Sequence, residues 1–340
     1  DSYRRIPEII SSRNGNNGHQ VDTRLSKYEV YEDLFPSRHD GVNAWISISR
    51  GCDKFCTFCI VPFTRGRERS RSMDSIIREV EDAVSKGFVE ITLLGQNVNS
   101  YQTENGKFPH LLEAVSAVPG VKRIRYMSPH PQDMDEHLLQ VMNDYENICN
   151  YIHLPLQSGS NRILNRMNRT YTNSEFLNLV ETVRRYIPDT SISTDIIVGF
   201  PGETEEEFEE TLQVMNQVVF DRAFMFKYSS RPGTKAAEYS DQINEEIKQN
   251  RLARLIDLQQ SHTLKANQRH IGKVLKVLVE KESKKSTMQW TGRTEGNMGV
   301  IFDKGNAQLK DIVDILIQDA QGVTLFGNRV LKKEKIYEIN

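Results

Sequence analysis

Six short β-rich runs recur along the chain: WISIS (45–49), VEITLL (89–94), RIRYMS (123–128), YIHLPL (151–156), SISTDIIV (191–198) and RAFMFKY (222–228). Amphipathic helical stretches separate most of them. This alternation constrains the fold more than any other feature, because parallel strands need crossover connections of helical length while antiparallel ones close through short turns. The first connecting stretch, residues 74–87, repeats Ile76, Ile77, Val80, Ala83 and Val84 at helical spacing and ends on Gly87, a residue type favoured just past a helix end. After SISTDIIV, Thr204 is placed to cap a helix, and Glu205, Glu206 and Glu207 meet its positive end. The pattern predicts a parallel α/β sheet, either open and doubly wound or closed into a partial barrel.

Beyond the sixth run the pattern changes. Residues 242–269 read as one long polar helix. GKVLKVLVE, MQWTGRTEGNMGVIFD, DIVDILIQD and GVTLFGNRV then follow with Gly and Asn turns and no helix between them, which predicts a small all-β barrel. The opening residues, with SSRNGNNGHQ near their centre, read as a lead-in. A chain of 340 residues is long for one domain, and the expected limits are 1–40 for the lead-in, 41–268 for the α/β core and 269–340 for the β barrel.

No apolar run approaches the roughly 18 residues of a membrane helix. The first residues, DSYRRIPEII, lack the build of an export signal. A cytoplasmic monomer with no membrane association is expected, and the start at Asp1 rather than Met suggests an upstream portion. In that setting four cysteines, three of them crowded together, argue for thiol ligands rather than disulfides. Residues 266–340 hold 13 Lys/Arg against 9 Asp/Glu, so the tail is basic while the rest is acidic. That surplus suits a polyanion, or an ordinary solvated surface.

Cys52, Cys56 and Cys59 lie in SRGCDKFCTFCIVPFTRGRERSR (49–71) as C-x3-C-x2-C, directly after the first run. They therefore belong to a loop at the carboxyl end of the parallel strands, where such sheets and barrels bind ligands. Three thiolates suit zinc or an iron–sulfur cluster. A structural zinc needs four closed ligands. The loop offers no histidine or fourth cysteine, and Cys149, in ENICNYIHLPLQ, reads as a small core residue. A 4Fe–4S cluster on three cysteines leaves one iron open. Three reduced cysteines without metal is the plain alternative.

With Phe58 before the last cysteine and six strand–helix units, the chain resembles the radical S-adenosylmethionine (SAM) superfamily. The phrases GCDKFCTFCIVPFTRGRERSR, LLGQNVNSY, YIHLPLQSGSNRIL, STDIIVGFPGETEEEF and the terminal GRTEGN resemble, in order, its methylthiotransferases, from about Asn43 to the C-terminus. The resemblance implies a partial (β/α)6 TIM-like barrel, and the β tail is similar to the RNA-binding TRAM domain. It implies that Cys52, Cys56 and Cys59 hold a 4Fe–4S cluster whose open iron chelates SAM. Reductive cleavage would then give a 5′-deoxyadenosyl radical, with the electron coming from a donor such as flavodoxin or ferredoxin. The implied reaction is transfer of a methylthio group to C2 of an N6-prenylated adenosine adjacent to the tRNA anticodon, so the anticodon stem-loop is the expected partner. Other readings are methylthiolation of threonylcarbamoyl-adenosine in tRNA or of a ribosomal-protein aspartate, or a non-catalytic RNA-binding protein. Family members carry an N-terminal domain with three more cysteines for an auxiliary 4Fe–4S cluster. This chain has only Cys149 besides the triplet, so a second cluster is expected only in such a preceding domain.

By the same resemblance Phe58, Gly95, Gln96, Asn97, Gln157, Ser158, Ile197 and Gly199 would hold SAM. In GQNVN, Gly95 permits close backbone approach, and Gln96 and Asn97 offer amides at the rim. LPLQSGS repeats this with Gln157 and Ser158. Without the resemblance these are polar turns after strands. DIIVGFPGET partly matches the superfamily's G-x-I-x-G-x-x-E: Asp195 replaces the first glycine and Glu203 is displaced by one, so Glu203 is assigned no direct role.

Arg65, Arg67, Arg69 and Arg71 alternate; in an extended segment they would line one side of a groove and fork onto RNA phosphates. An anticodon loop offers a modifying enzyme an already unstacked base. In the tail, Trp290, Arg293, Thr294 and Asn297 are the expected RNA contacts, with Trp290 equally suited to the core of a small barrel. His130 and His153, near strand ends, read as hydrogen-bonded structural residues. No catalytic side chain beyond the three cysteines is assigned.

Overall fold

The computed structural model describes residues 2–12, 21, 22, 24, 26, 28–32 and 34–330. Six strands, β1 (Asn43–Ser47), β2 (Glu90–Leu94), β3 (Arg123–Tyr126), β4 (Tyr151–His153), β5 (Ser191–Val198) and β6 (Arg222–Lys227), follow the six sequence runs. They pair in parallel as β1–β2–β3 and β4–β5–β6. A parallel bridge from Ile124 to Ile148, just ahead of β4, joins the halves and leaves β1 and β6 as free edges.

Period-two alternation decides between the two architectures that the sequence left open. Ala44, Ile46, Ile91, Leu93, Ile124, Ile152, Ile192 and Ile196 point outward into one apolar core. That core is completed by α1 (Met73–Ser85), α2 (Phe108–Ser116), α3 (Glu136–Asp144), α4 (Asn173–Tyr186) and α5 (Glu205–Val218). The intervening residues face inward and are mostly polar, among them Glu90, Thr92, Arg123, Arg125, His153, Ser193 and Asp195, with Ile197, Phe224 and Phe226 as apolar exceptions. A doubly wound sheet would need apolar residues on both faces; helices on one face and a polar lumen on the other make a partial (β/α)6 barrel. As expected, Thr204 caps α5, and its capping box closes through Glu207.

The long helix α6 (Glu245–Gln268) leads into β7 (Val274–Ser283), β8 (Ser286–Thr294), β9 (Gly299–Asp303), β10 (Ile312–Gln321) and β11 (Thr324–Arg329). These close into a barrel in the order β7–β8–β9–β11–β10 around Val277, Val300, Phe302, Ile315 and Leu325. The small barrel docks under the amino-terminal end of the large one. Arg123 donates to the carbonyls of Arg293 (2.6 Å) and Lys276 (3.0 Å), and Arg125 to those of Glu295 (2.8 Å) and Thr294 (2.7 Å). Arg125 Nε also pairs with the buried carboxylate of Glu90 at 3.0 Å. The cysteine loop, which leaves the carboxyl end of β1, lies at the opposite mouth.

Among the described lead-in residues, Glu32 accepts a hydrogen bond from the Ser72 amide at 2.7 Å, and Arg38 pairs with the buried Glu79. Among the described residues no helix is long and apolar enough to cross a membrane.

Candidate functional site

The cysteine loop begins at Gly51, whose φ of +76° and surroundings admit no side chain: a carbon there would lie 2.1 Å from the Arg67 carbonyl oxygen and 2.5 Å from that of Gly66. The outgoing and returning arms of the loop touch at this point, and the Cys52 amide donates to Gly66 O at 3.2 Å. Across the barrel the segment after β4 pins the loop. Thr57 donates to the carbonyls of Met167 (3.0 Å) and Arg166 (2.8 Å), and Asn168 Nδ2 donates to those of Lys54 and Phe55. The three thiols are thus held half-buried on a rigid loop, while Cys149 lies in the core.

Burial pushes the Cys52 thiol up to about 11 and raises that of Cys59 too. Arg169 Nη1 donates to Cys56 Sγ at 3.5 Å, while the rest of that guanidinium is fixed by Tyr171 Oη (3.0 Å) and the Pro155 carbonyl (3.2 Å). Arg169 had no signal in the sequence, since 113 positions separate it from Cys56.

Two observations test whether these residues fit a cluster and SAM. Among the described residues, no three His, Cys, Asp or Glu side chains converge as one metal ion requires. A cluster takes each thiolate on a separate iron, so its three cysteines need not converge on one point. Second, Ser49 Oγ, Gln96 Oε1, Asn97 Oδ1 and Gln157 Oε1 are buried without a hydrogen-bond partner. They lie after β1, β2 and β4, at the mouth that carries the cysteines. Such orphans are rare in folded interiors, and Gln157 is further held at φ +70°. Four oxygen acceptors gathered at one mouth suit a ligand with ammonium and hydroxyl donors.

The remaining expected SAM contacts divide. Phe58 and Ile197 line one open cleft of about 440 Å³ with Phe226 and Tyr228. Gly95 faces Ser49, whose hydroxyl would lie 2.6 Å from any side-chain carbon there. Gly199 has φ +68° and backs onto Lys248 of α6, so it makes a packing turn. Ser158 is fully buried, and its hydroxyl accepts from the Ser160 amide at 3.2 Å, away from the rim. Glu203 accepts from the Gly199 amide (2.6 Å) and Arg251 (2.8 Å), with burial pushing it up to about 7.

The four arginines do not form the expected stripe. Residues Val61–Arg65 make a short helix that ends at Gly66, so Arg65 leaves the line of the others, and only Arg69–Ser70 is extended, paired antiparallel with Ser49–Arg50. Arg65 is exposed; Arg67 pairs with Asp53 at 2.8 Å and lies over the Phe55 ring. Arg69 turns its guanidinium back to the Arg65 carbonyl. Arg71 is buried, donating to Glu79 (2.6 Å), Ser47 O (2.8 Å) and Ser75 Oγ (2.8 Å), a structural role for which local alternation gives no warning.

The tail residues are also committed elsewhere. Thr294 is 3% exposed, sealed against the large barrel. Arg293 pairs with Glu280 at 3.3 Å and donates to Asn297 Oδ1 at 3.0 Å, within the turn that meets Arg123 and Arg125. Trp290 is half-buried, its Nε1 donating to the Ala307 carbonyl at 3.0 Å, with Lys304 over its ring.

Near this mouth His130 is buried, its Nδ1 accepting from the Gln132 amide at 3.3 Å. Burial, reinforced by Arg169 and Lys54, pushes it down to about 2. Its folded value lies below the ordinary one of roughly 6.5. The stability it confers is therefore present above that pH and lost as pH falls. Between pH 7 and about pH 5 the loss of unfolding free energy should be smaller in His130→Asn than in wild type by about 2 kcal/mol. Urea melts at both pH values check this, and equal losses would refute it.

The family model of the radical SAM superfamily matches residues 46–215, and that of the TRAM domain residues 268–330. The tRNA-2-methylthio-N(6)-dimethylallyladenosine synthase of Porphyromonas gingivalis strain W83 is 50% identical over 97% of this chain and 73% of its own length. The synthases of the same name from Bacteroides fragilis ATCC 25285 and Christiangramia forsetii are 48% and 45% identical, over 74% and 73% of their lengths. Among solved structures, the radical SAM methyltransferase TsrM of Kitasatospora setae overlays 64% of this chain and 42% of its own at 19% identity and a TM-score of 0.49. The sequence relatives carry the assignment: the chain belongs to the radical SAM methylthiotransferases, in the family of the tRNA-2-methylthio-N(6)-dimethylallyladenosine synthases.

Proposed function

We propose that this chain contains the radical SAM and RNA-binding portions of a tRNA methylthiotransferase acting at C2 of N6-prenylated adenosine beside the anticodon. The observation that carries the reading is the single mouth at which three half-buried thiols meet four partnerless buried oxygens.

Cys52, Cys56 and Cys59 would hold a 4Fe–4S cluster. Ser49, Gln96, Asn97 and Gln157 would accept from the ammonium and hydroxyl groups of SAM. The cleft between Phe58 and Ile197 offers an apolar slot for its adenine. When bound, this pair supplies a radical able to take hydrogen from an unactivated aromatic carbon, a step beyond any side-chain base; the protein positions the reactants and excludes water. Arg65 and Arg67, exposed at the same mouth, are the arginines left to meet RNA phosphate. The TRAM barrel would contribute further tRNA affinity from below. A flavodoxin- or ferredoxin-like donor would supply the electron, and the auxiliary cluster would reside outside these 340 residues.

Anaerobic reconstitution should load about four irons and matching sulfide per chain. In a strain lacking the gene, mass spectrometry of tRNA nucleosides should show the prenylated adenosine without its methylthio group. A chain that takes up no iron, or one zinc, defeats the radical reading; an unchanged nucleoside profile defeats the substrate.

A further inference from the structure

The cysteine loop carries two aromatic side chains that neither its thiols nor the cleft of Phe58 and Ile197 uses. Phe55 and Phe63 are 39% and 59% exposed. Their rings meet edge to face, with centroids 6.4 Å apart and planes at 82°. The Arg67 guanidinium lies over the Phe55 ring, 5.2 Å from its centroid, and is held there by Asp53 at 2.8 Å. Single exposed apolar side chains are ordinary, but two rings in contact beside a cation make a surface with a chemistry of its own.

The backbone fixes that surface. Phe55 has φ +48°, a left-handed conformation rare for a residue with a side chain, and Asn168 Nδ2 secures it by donating to the carbonyls of Lys54 (3.1 Å) and Phe55 (3.0 Å). Such strained residues cluster at binding sites. Phe63 stands on the short helix Val61–Arg65, which buries Pro62 and is tied to the Ile60 carbonyl by the Phe63 amide (3.1 Å) and the Thr64 hydroxyl (3.2 Å). Arg65 is exposed, and the Arg67 side chain is 72% exposed. Over residues 49–71 there are six Lys/Arg against two Asp/Glu. Even without Arg71 and Lys54, which pair with Glu79 and Asp133, four cations stand against two carboxylates, and this surplus favours a polyanion over an apolar protein surface. Outward rings flanked by cations are the combination that takes single-stranded nucleic acid, with rings stacking on bases and cations meeting phosphates.

We propose that Phe63, braced by Phe55, stacks on the unpaired base next to the target adenosine, and that Arg67 meets a phosphate beside it. The assignment rests on the tRNA reading above. A target base drawn into the lumen leaves its neighbour unstacked at the mouth, and the ring restores the stack that the neighbour has lost.

The test is equilibrium binding of the cluster-loaded chain to an anticodon stem-loop with N6-prenyladenosine at the target position, to the same loop made abasic on either side of the target, and to a blunt RNA duplex of equal length. Wild type should bind one abasic loop roughly tenfold more weakly than the intact loop, the size of one lost stack. Phe63→Ala should show that same loss on the intact loop and no further penalty on that abasic loop. Phe63→Leu, which keeps apolar bulk without a ring, should behave like the alanine variant, whereas Phe63→Trp should bind at least as well as wild type. Arg67→Ala should weaken all three loops alike and lower the slope of log affinity against log salt by about 0.7. Wild-type iron content in each variant reports an intact loop. A Phe63→Ala chain that binds the intact loop as wild type does, or keeps the tenfold penalty on the abasic loop, overturns the assignment and leaves the aromatic pair to a protein contact. Equal wild-type affinity for the intact loop and the duplex overturns the tRNA reading and the assignment with it.

Discussion

Cys56→Ala is expected to abolish cluster loading and reductive cleavage of SAM while leaving the fold in place. The three cysteines are the cluster's only protein ligands in the proposed site, and with one removed a second iron loses its anchor. The fold survives because Cys56 is only half-buried and its partner keeps other contacts: Arg169 remains bonded to Tyr171 and the Pro155 carbonyl. Circular dichroism and melting should stay close to wild type while iron falls far below four per chain. Cys149→Ala is the internal control. That residue lies in the core, 3% exposed, and its loss should leave iron content unchanged. Cleavage that persists in Cys56→Ala would refute the ligand assignment.

Arg125→Met should produce the largest loss of stability, roughly 3–5 kcal/mol. Arg125 sits in the floor of the lumen, where one guanidinium satisfies the buried carboxylate of Glu90 and two backbone carbonyls of the small barrel. Methionine fills much of the volume but leaves Glu90, 2% exposed, without its counter-charge, and leaves Thr294 and Glu295 without a donor. Pairing the change with Glu90→Met should recover most of the loss, since an apolar pair removes the stranded charge. Denaturant titration of both variants against wild type measures this. Limited proteolysis near residue 269 should accelerate in the single variant as the small barrel undocks. A loss below about 1 kcal/mol, of the size expected for exposed pairs, would show that the ion pair is not the junction's anchor.

The same junction engages two of the tail residues expected to meet RNA. Trp290, Arg293, Thr294 and Asn297 look like RNA contacts because they are polar or aromatic and sit in a basic region. The backbone carbonyls of Arg293 and Thr294 are taken by Arg123 and Arg125, about 170 residues earlier. In RIRYMS those two arginines are recognisable as alternate residues of a strand, but nothing local says that their face is the floor of a barrel on which another domain rests. Arg71 departs from the stripe for another reason: just after the paired Arg69–Ser70 its side chain turns into the core to meet Glu79, Ser47 and Ser75.

The sequence by itself determined what local periodicity and spacing encode. Six alternating runs placed the strands and most helices, helix and turn signals marked Gly87 and Thr204, and the C-x3-C-x2-C spacing placed three thiols on the loop after β1. These features hold because backbone propensity, capping and side-chain alternation act over a few residues. Tertiary structure alone decided the rest. Barrel closure brought Arg169 to Cys56, assembled the partnerless oxygens of Ser49, Gln96, Asn97 and Gln157 at one mouth, and set His153 and Phe224 around Asp195. Each of those contacts joins segments from different strands or loops, and its geometry follows from how β1 to β6 close around the lumen rather than from any pattern a single segment carries.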